Sequence, residues 1–241
     1  MQKRISTENK NEVIWFDAAR FPYFPIEWFD SAYLAQNALL TGSAGGRGTT
    51  YFFHVNDTDL VLRRYKRGGL PGKLLNDQFW YLGLSRTRAW RELSLLLQLN
   101  ELNLPAPVPV AARVVKHGFY YQSDIITERL ASAKDVHNLL LQSALTPSEW
   151  EKIGRTIRQF HDCQVYHHDL NIHNIMMNDQ GRIFLIDFDK CGFKHGEKWK
   201  QANLSRLLRS LRKESQRCEH YFFEEEDWNN LINGYNSHPL K

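Results

Sequence analysis

The chain has 241 residues, 42% hydrophobic and 24% charged, with a formal net charge of +4 and a pI near 8.9. That is enough chain for one large domain or for two small lobes, each with its own core. Three scattered cysteines (Cys163, Cys191 and Cys218) make neither a disulfide framework nor a metal-ligand pattern, no apolar run is long enough to span a membrane, and the polar stretch Met1 to Asn11 lacks the apolar centre of a signal peptide, so a cytoplasmic protein is expected.

Residues 1–30 show little periodicity but hold Trp15, Phe16, Phe21, Tyr23, Phe24, Trp28 and Phe29, which are expected to pack on the first lobe. A glycine-rich stretch, Gly42 to Gly48, follows; without side chains its amides can approach phosphate oxygens closely. Asp59 to Tyr65 reads as a strand, whose alternation puts Val61 and Arg63 on one face and Leu62 and Arg64 on the other. Ala89, Leu93 and Leu96 recur at helical spacing around Glu92. Pro105, Pro107 and Pro109 end that helix and open an extended segment. Two strand-like runs, Ala111 to Val115 and Phe119 to Ile126, flank a turn at Lys116-His117-Gly118 and lead to Thr127-Glu128-Arg129-Leu130.

Thr146-Pro147-Ser148-Glu149 has the form of a capping box with proline at the first helical position, and Trp150, Ile153, Ile157 and Phe160 continue the helix. Beyond it, Ile175-Met176-Met177 and Ile183-Phe184-Leu185-Ile186 enclose the turn-like Asn178-Asp179-Gln180-Gly181, a predicted hairpin. Of the 52 residues after Asp189, one helix is clear, with Leu204, Leu207, Leu208 and Leu211 on one side and Arg206, Arg209, Arg212 and Lys213 on the other. Basic residues cluster at Arg63, Arg64, Lys66, Arg67, Lys73, Arg86, Arg88 and Arg91, and again from Lys194 to Lys213, which suits an anionic partner.

The chemistry is concentrated in His167-His168-Asp169-Leu170-Asn171-Ile172-His173-Asn174 and Ile186-Asp187-Phe188. Asn174 lies five positions after Asp169, and Asp187 ends the second hairpin strand thirteen positions later. Phosphoryl transfer needs these groups: one carboxylate to take the proton of an attacking hydroxyl, and an amide oxygen with a second carboxylate to hold Mg²⁺ on nucleotide phosphates. A metal phosphohydrolase built on His161, His168, Asp169 and His173 is the competing enzyme, disfavoured by the hairpin that follows Asn174. A basic nucleic-acid-binding module would leave the Asp169, Asn174 and Asp187 register unexplained, and no nucleic acid is expected.

The same run resembles the catalytic loop and Asp-Phe-Gly motif of the protein-kinase superfamily, with Asp189 at the glycine position. That resemblance implies an α+β, two-lobed kinase-like fold: a small β-rich lobe over 1–128 and a reduced, mostly helical lobe over 129–241. It also implies nucleotide-binding roles. Gly46 and Gly48 match the loop that covers the nucleotide, although Tyr51 replaces its third glycine. The phosphate-gripping lysine position falls on Arg63, with Arg64 the alternative, and its acidic helix partner on Glu92. Glu128 and Leu130 match the hinge that meets adenine. No Ala-Pro-Glu motif follows, which argues against a polypeptide acceptor.

More closely, Leu62 to Leu70, Thr87 to Glu92, His168 to Asn174, Leu185 to Asp189 and Asn203 to Leu211 resemble the 3-deoxy-D-manno-octulosonic acid (Kdo) kinases of lipopolysaccharide inner-core assembly. What this implies is ATP- and Mg²⁺-dependent phosphorylation of the 4-hydroxyl of Kdo on a lipid A precursor. The protein is then peripheral on the anionic cytoplasmic face of the inner membrane, with no obligate protein partner. A heptose kinase or another small-molecule kinase with an anionic acceptor is the alternative.

Overall fold

A computed structural model of the chain describes residues 3–6, 11–45, 50–66 and 77–237. The predicted nucleotide-loop glycines Gly46 and Gly48, and the basic Arg67 and Lys73, lie outside the described residues. The chain divides into two compact units, 1–97 with 108–129 and 98–107 with 130–241.

The first unit is built on an antiparallel sheet. Its strands are β1 (Lys3–Ser6), β2 (Glu12–Phe16), β3 (Leu40–Ala44), β4 (Thr50–Val55), β5 (Thr58–Arg64), β6 (Phe79–Trp80), β7 (Pro109–His117) and β8 (Tyr120–Glu128), with the helices α1 (Ser31–Gln36) and α2 (Arg88–Glu101). The order across the sheet is β1-β2-β7-β8-β5-β4-β3, with β6 also on β8. Asn56 and Asp57 close the β4–β5 turn with positive φ angles of 47° and 58°, a conformation that Asn and Asp tolerate. Along β5, Leu60 and Leu62 are buried while Val61 and Arg63 are half-buried, as the predicted alternation requires up to Arg63; Arg64, at the strand end, is half-buried as well.

The N-terminal aromatics do pack into this unit. Phe16, Phe21, Phe24, Trp28 and Phe29 join Phe53, Leu60, Leu62 and Ile126 in one core, while Tyr23 stays exposed. Phe24 sits 5.2 Å from Phe16 and 5.0 Å from Trp28, ring to ring, within the range in which aromatic pairs attract beyond their area. The aperiodic reading of this region missed β2, which pairs with β7 in the register Phe16↔Ala111. Glu12-Val13-Ile14-Trp15-Phe16 is too apolar on both faces to show a period of two.

The second unit contains β9 (Lys134–Asp135), α3 (Val136–Leu140), α4 (Pro147–Asp162), β10 (Val165–Tyr166), β11 (Ile175–Met177), β12 (Ile183–Leu185), β13 (Gly192–Phe193), α5 (Lys198–Arg217) and α6 (Glu225–Asn236). The predicted capping box opens α4: the Glu149 amide donates to Thr146 Oγ1 (3.3 Å), and the Thr146 amide donates to Glu149 Oε2 (2.7 Å). Trp150, Ile153, Ile157 and Phe160 are buried as their spacing demands. The hairpin pairs Ile175↔Leu185 and Met177↔Ile183. Its turn is held by Asn178 Oδ1, which accepts from the amides of Gln180 (3.1 Å) and Arg182 (2.8 Å).

Two expectations need revision here. Residues 98–107 group with the second unit rather than with the first. The reason is local: Leu185 donates its amide to the Pro105 carbonyl at 3.0 Å, so the proline-rich segment extends the hairpin's bonding. The tail beyond Asp189 carries two long helices, not one. α6 packs on α4 with their backbones nearly touching: a Cβ on Gly154 would lie 1.9 Å from the Leu231 carbonyl oxygen, and one on Gly234 would lie 2.1 Å from that of Glu151.

At the same contact, His161 of α4 places Nδ1 2.8 Å from the Tyr235 hydroxyl. Burial favours the neutral imidazole and pushes its pKa from 6.5 down to about 4. Above pH 6.5 neither the folded nor the unfolded chain carries this proton, and the stabilisation is complete. As pH falls through that window towards about 4, the unfolded chain takes up a proton that the folded one refuses, and stability is lost, by roughly 3 kcal/mol at most. Urea-unfolding free energies between pH 7 and about 4 are expected to fall more steeply for the wild type than for His161→Phe; parallel curves would assign the acid sensitivity to other groups.

Candidate active site

The segment 167–174 has almost no ladder of its own, so its shape is set by side chains reaching in from elsewhere in the second unit. His167 is fully buried, and its Nε2 donates to the Ile186 carbonyl at 3.0 Å, which ties the loop to the end of β12. Burial holds this imidazole below its ordinary pKa and keeps it neutral. Asn203 of α5 brackets the same residue, accepting from the His167 amide (3.3 Å) and donating to its carbonyl (3.0 Å). Two turns further along α5, Ser210 Oγ accepts from the Ile172 amide at 3.2 Å.

Asp169 is fixed through its backbone. Its carbonyl accepts from Asn171 Nδ2 (3.0 Å) and from Asn174 Nδ2 (2.9 Å), and its carboxylate stands half-exposed. With Nδ2 of Asn174 committed to a carbonyl, the amide orientation is determined, and only Oδ1 remains to meet a cation. Ile186 donates its amide to the Asn174 carbonyl at 3.0 Å, so the backbone of Asn174 is tied next to Asp187. Asp187 has φ of +62°, a left-handed conformation that costs a non-glycine residue about 1 kcal/mol or more. Phe188 anchors it from the other side, buried against Phe160 (5.7 Å) and His167 (5.1 Å). An amide oxygen and a carboxylate are hard donors, and the pair fits Mg²⁺.

The sequence places Arg206 only in the basic cluster from Lys194 to Lys213 that suits an anionic partner. It pairs instead with Asp169, Nη1 to Oδ1 at 3.1 Å. Arg212, of the same cluster, is held bidentately by Glu225 at 2.7 and 2.8 Å. Both contacts are half-exposed or more, so they orient side chains more than they stabilise the fold. Asn203, Arg206 and Ser210 were not picked out as site residues. Their spacing of three and four along a helix next to the catalytic loop was the available signal.

The first unit assembles a second polar group. Arg63 of β5 pairs with Glu92 of α2, and the Tyr65 hydroxyl donates to Glu92 Oε2 at 2.6 Å. Glu92 is only 4% exposed, so these charge-assisted contacts offset the loss of its hydration. The guanidinium groups of Arg63 and Arg88 lie over the Tyr65 ring at 5.2 and 5.0 Å. Arg64 belongs to a different network, with Asp124 at 2.8 Å, which Arg113 also meets at 2.8 Å. Glu128 spends its amide on the Val108 carbonyl and its carboxylate on Arg20, and the boundary between units follows Arg129. Leu130 accepts from the Ala133 amide at 3.3 Å.

The histidines of the phosphohydrolase reading are not gathered: among the described residues, His161, His168, Asp169 and His173 form no metal-holding group, and His161 is committed to Tyr235.

A model of the lipopolysaccharide kinase (Kdo/WaaP) family matches residues 31–235. The chain is 45% identical over 201 residues to a 3-deoxy-D-manno-octulosonic acid kinase of Vibrio cholerae serotype O1, covering 83% of this chain and 86% of the relative. It is 44% identical over 225 residues to the protein of that name from Photobacterium profundum, covering 93% and 95%, and 44% identical over 217 residues to that of Haemophilus influenzae, covering 87% and 90%. Two α+β units with a kinase-like catalytic loop, and a similarity that runs through both, lead to one assignment: the chain belongs to the lipopolysaccharide kinase (Kdo/WaaP) family.

Proposed function

We propose that this protein transfers the γ-phosphoryl group of ATP to the 4-hydroxyl of Kdo on a lipid A precursor. The observation that carries the reading is the fixed loop from His167 to Asn174, in a chain 44% identical over 93% of its length to a protein named for Kdo phosphorylation. Asp169 accepts the proton of the acceptor hydroxyl and orients its oxygen, with Arg206 steering the carboxylate. Asn174, through Oδ1, and Asp187 hold Mg²⁺. When bound, that ion neutralises charge building on the phosphate oxygens. In the first unit, Arg63 grips nucleotide phosphate while Glu92 and Tyr65 keep its guanidinium in place. Gly46 and Gly48 cover the nucleotide, and backbone groups of Glu128 and Leu130 meet adenine.

Incubation with ATP, Mg²⁺ and a Kdo-bearing lipid A precursor is expected to add one phosphate to the sugar, while a precursor lacking Kdo stays unchanged. Transfer to a heptose-bearing acceptor alone would move the assignment to the heptose kinase reading.

Arg63→Ala is expected to raise the KM for ATP and to lower kcat, and Arg64→Ala to do less to both, because only Arg63 is held by Glu92. The reverse order would transfer the phosphate-gripping role to Arg64.

We place the protein at the anionic cytoplasmic leaflet of the inner membrane, held by Lys198, Arg209 and Lys213, since Arg206 and Arg212 are engaged internally. No helix of the described residues is long and apolar enough to cross a membrane. Each such cation near an anionic surface contributes about 1 kcal/mol, screened within roughly 8–10 Å by salt. Sedimentation with anionic vesicles at low salt, lost at high salt and in the triple Lys198→Gln, Arg209→Gln, Lys213→Gln variant, is the expected result. No sedimentation of the wild type at low salt would remove the claim.

A further inference from the structure

Three side chains of the second unit converge without a role in the chemistry above. His137 lies in α3, His173 in the short turn just before Asn174, and Glu214 in α5. One potential ligand atom from each lies within 4.8 Å of the other two, and no other such group occurs among the described residues. The two imidazole rings are 4.2 Å apart, and His173 Nε2 is 3.6 Å from Glu214 Oε1.

The electrostatics of this corner are incomplete. Glu214 is only 3% exposed, yet His173 Nε2 and Arg217 Nη1 both stand 3.6 Å from its carboxylate oxygens, too far for hydrogen bonds. Glu214 Oε2, His137 Nδ1 and the Tyr221 hydroxyl are all buried with no hydrogen-bond partner. A buried carboxylate left this way is costly, by several kcal/mol in general, unless a cation comes close. One ligand atom each from His137, His173 and Glu214 within 4.8 Å of the other two, beside a buried carboxylate oxygen with no hydrogen bond, fits the donor shell of an ion.

We propose that His137, His173 and Glu214 bind one divalent transition-metal ion of the zinc class, at a site separate from the Mg²⁺ position at Asn174 and Asp187. Two imidazole nitrogens and one carboxylate oxygen select that class, because Mg²⁺ prefers an all-oxygen shell with several waters. Tetrahedral bonds of the usual length put neighbouring donors roughly 3.3 Å apart, so the trio closes on the ion by small side-chain rotations. His173 is 48% exposed, which supplies an entry path and leaves a fourth position for water. The ion joins α3, the turn of the catalytic loop and α5 at one point. Its role is therefore to brace the residue that precedes Asn174, and the inference does not depend on which sugar is phosphorylated.

The test uses the full chain, stripped with a chelator and held in excess Mg²⁺. Titration with Zn²⁺ alone is expected to show one tight equivalent in calorimetry and a raised Tm, and Co²⁺ is expected to give the intense visible bands of a four-coordinate site. His173→Ala, at an exposed position that should not disturb folding, is expected to weaken Zn²⁺ binding by about 100-fold, and His137→Gln likewise, whereas His168→Ala should bind as the wild type does. The proposal is overturned if the wild type takes up no Zn²⁺ at stoichiometric concentration, if His173→Ala binds as tightly as the wild type, or if excess Mg²⁺ displaces the ion.

Discussion

Asp169→Ala is expected to lower turnover by about 10²- to 10⁴-fold while Mg-ATP binding stays near normal, the range for loss of a positioned general base. The Asp169 carbonyl, not its carboxylate, holds Asn171 and Asn174, so truncation of the side chain leaves the loop's bracing intact. Among the described residues, the side-chain partner that is lost is Arg206, and that contact is half-exposed and weak. The defect should therefore appear in kcat at saturating ATP, and a nucleotide titration should report an unchanged Kd. Turnover within a few-fold of the wild type would remove Asp169 from the base role; a large loss of nucleotide affinity would recast it as a binding residue.

Gly154→Ala should destabilise the protein by about 3 kcal/mol, with Tm lowered by roughly 6–12 °C. Helix propensity alone points the other way, since alanine in a helix interior is favoured over glycine by about 1 kcal/mol. Packing decides the sign. The added Cβ meets the Leu231 carbonyl oxygen at 1.9 Å and the Tyr235 amide nitrogen at 2.7 Å, both backbone atoms of α6 that cannot rotate away. α4 and α6 must separate, and the contact between His161 and Tyr235 loosens with them. Urea unfolding measures the effect, and a stabilised Gly154→Ala variant would show that the two helices do not approach this closely.

The elements that could be read from the sequence are those specified by neighbouring residues. The capping box at Thr146, the helical spacing from Trp150 to Phe160 and the turn from Asn178 to Gly181 all use contacts within a few positions, and each is found as read. β2 was not legible because its partner, β7, lies nearly a hundred residues away and its own pattern is apolar on both faces. α6 was obscured by Asn229, Asn230, Asn233 and Gly234, which weaken its helical signal, although Gly234 is what allows the close approach to α4. In the site, Asp169, Asn174 and Asp187 stood out because their spacing along the chain carries the chemistry. Arg206 did not, because its tie to Asp169 spans 37 positions and an arginine among other basic residues on the polar side of an amphipathic helix reads as solvated. Arg63 and Arg64 were indistinguishable by type; only their partners, Glu92 and Asp124, separate them.

The way α5 holds the catalytic loop has a consequence for its fluctuations. The amides of His167 and Ile172 are bonded to the side chains of Asn203 and Ser210, not to a neighbouring strand. Their exchange with deuterium is therefore gated by departure of a helix face, an opening event distinct from the fraying of β11 and β12 close by in the chain. Since both bonds belong to one rigid helix, the two protons should become labile together, and the free energy that protects them measures how firmly this helix, with no reacting group of its own, keeps the loop in working order.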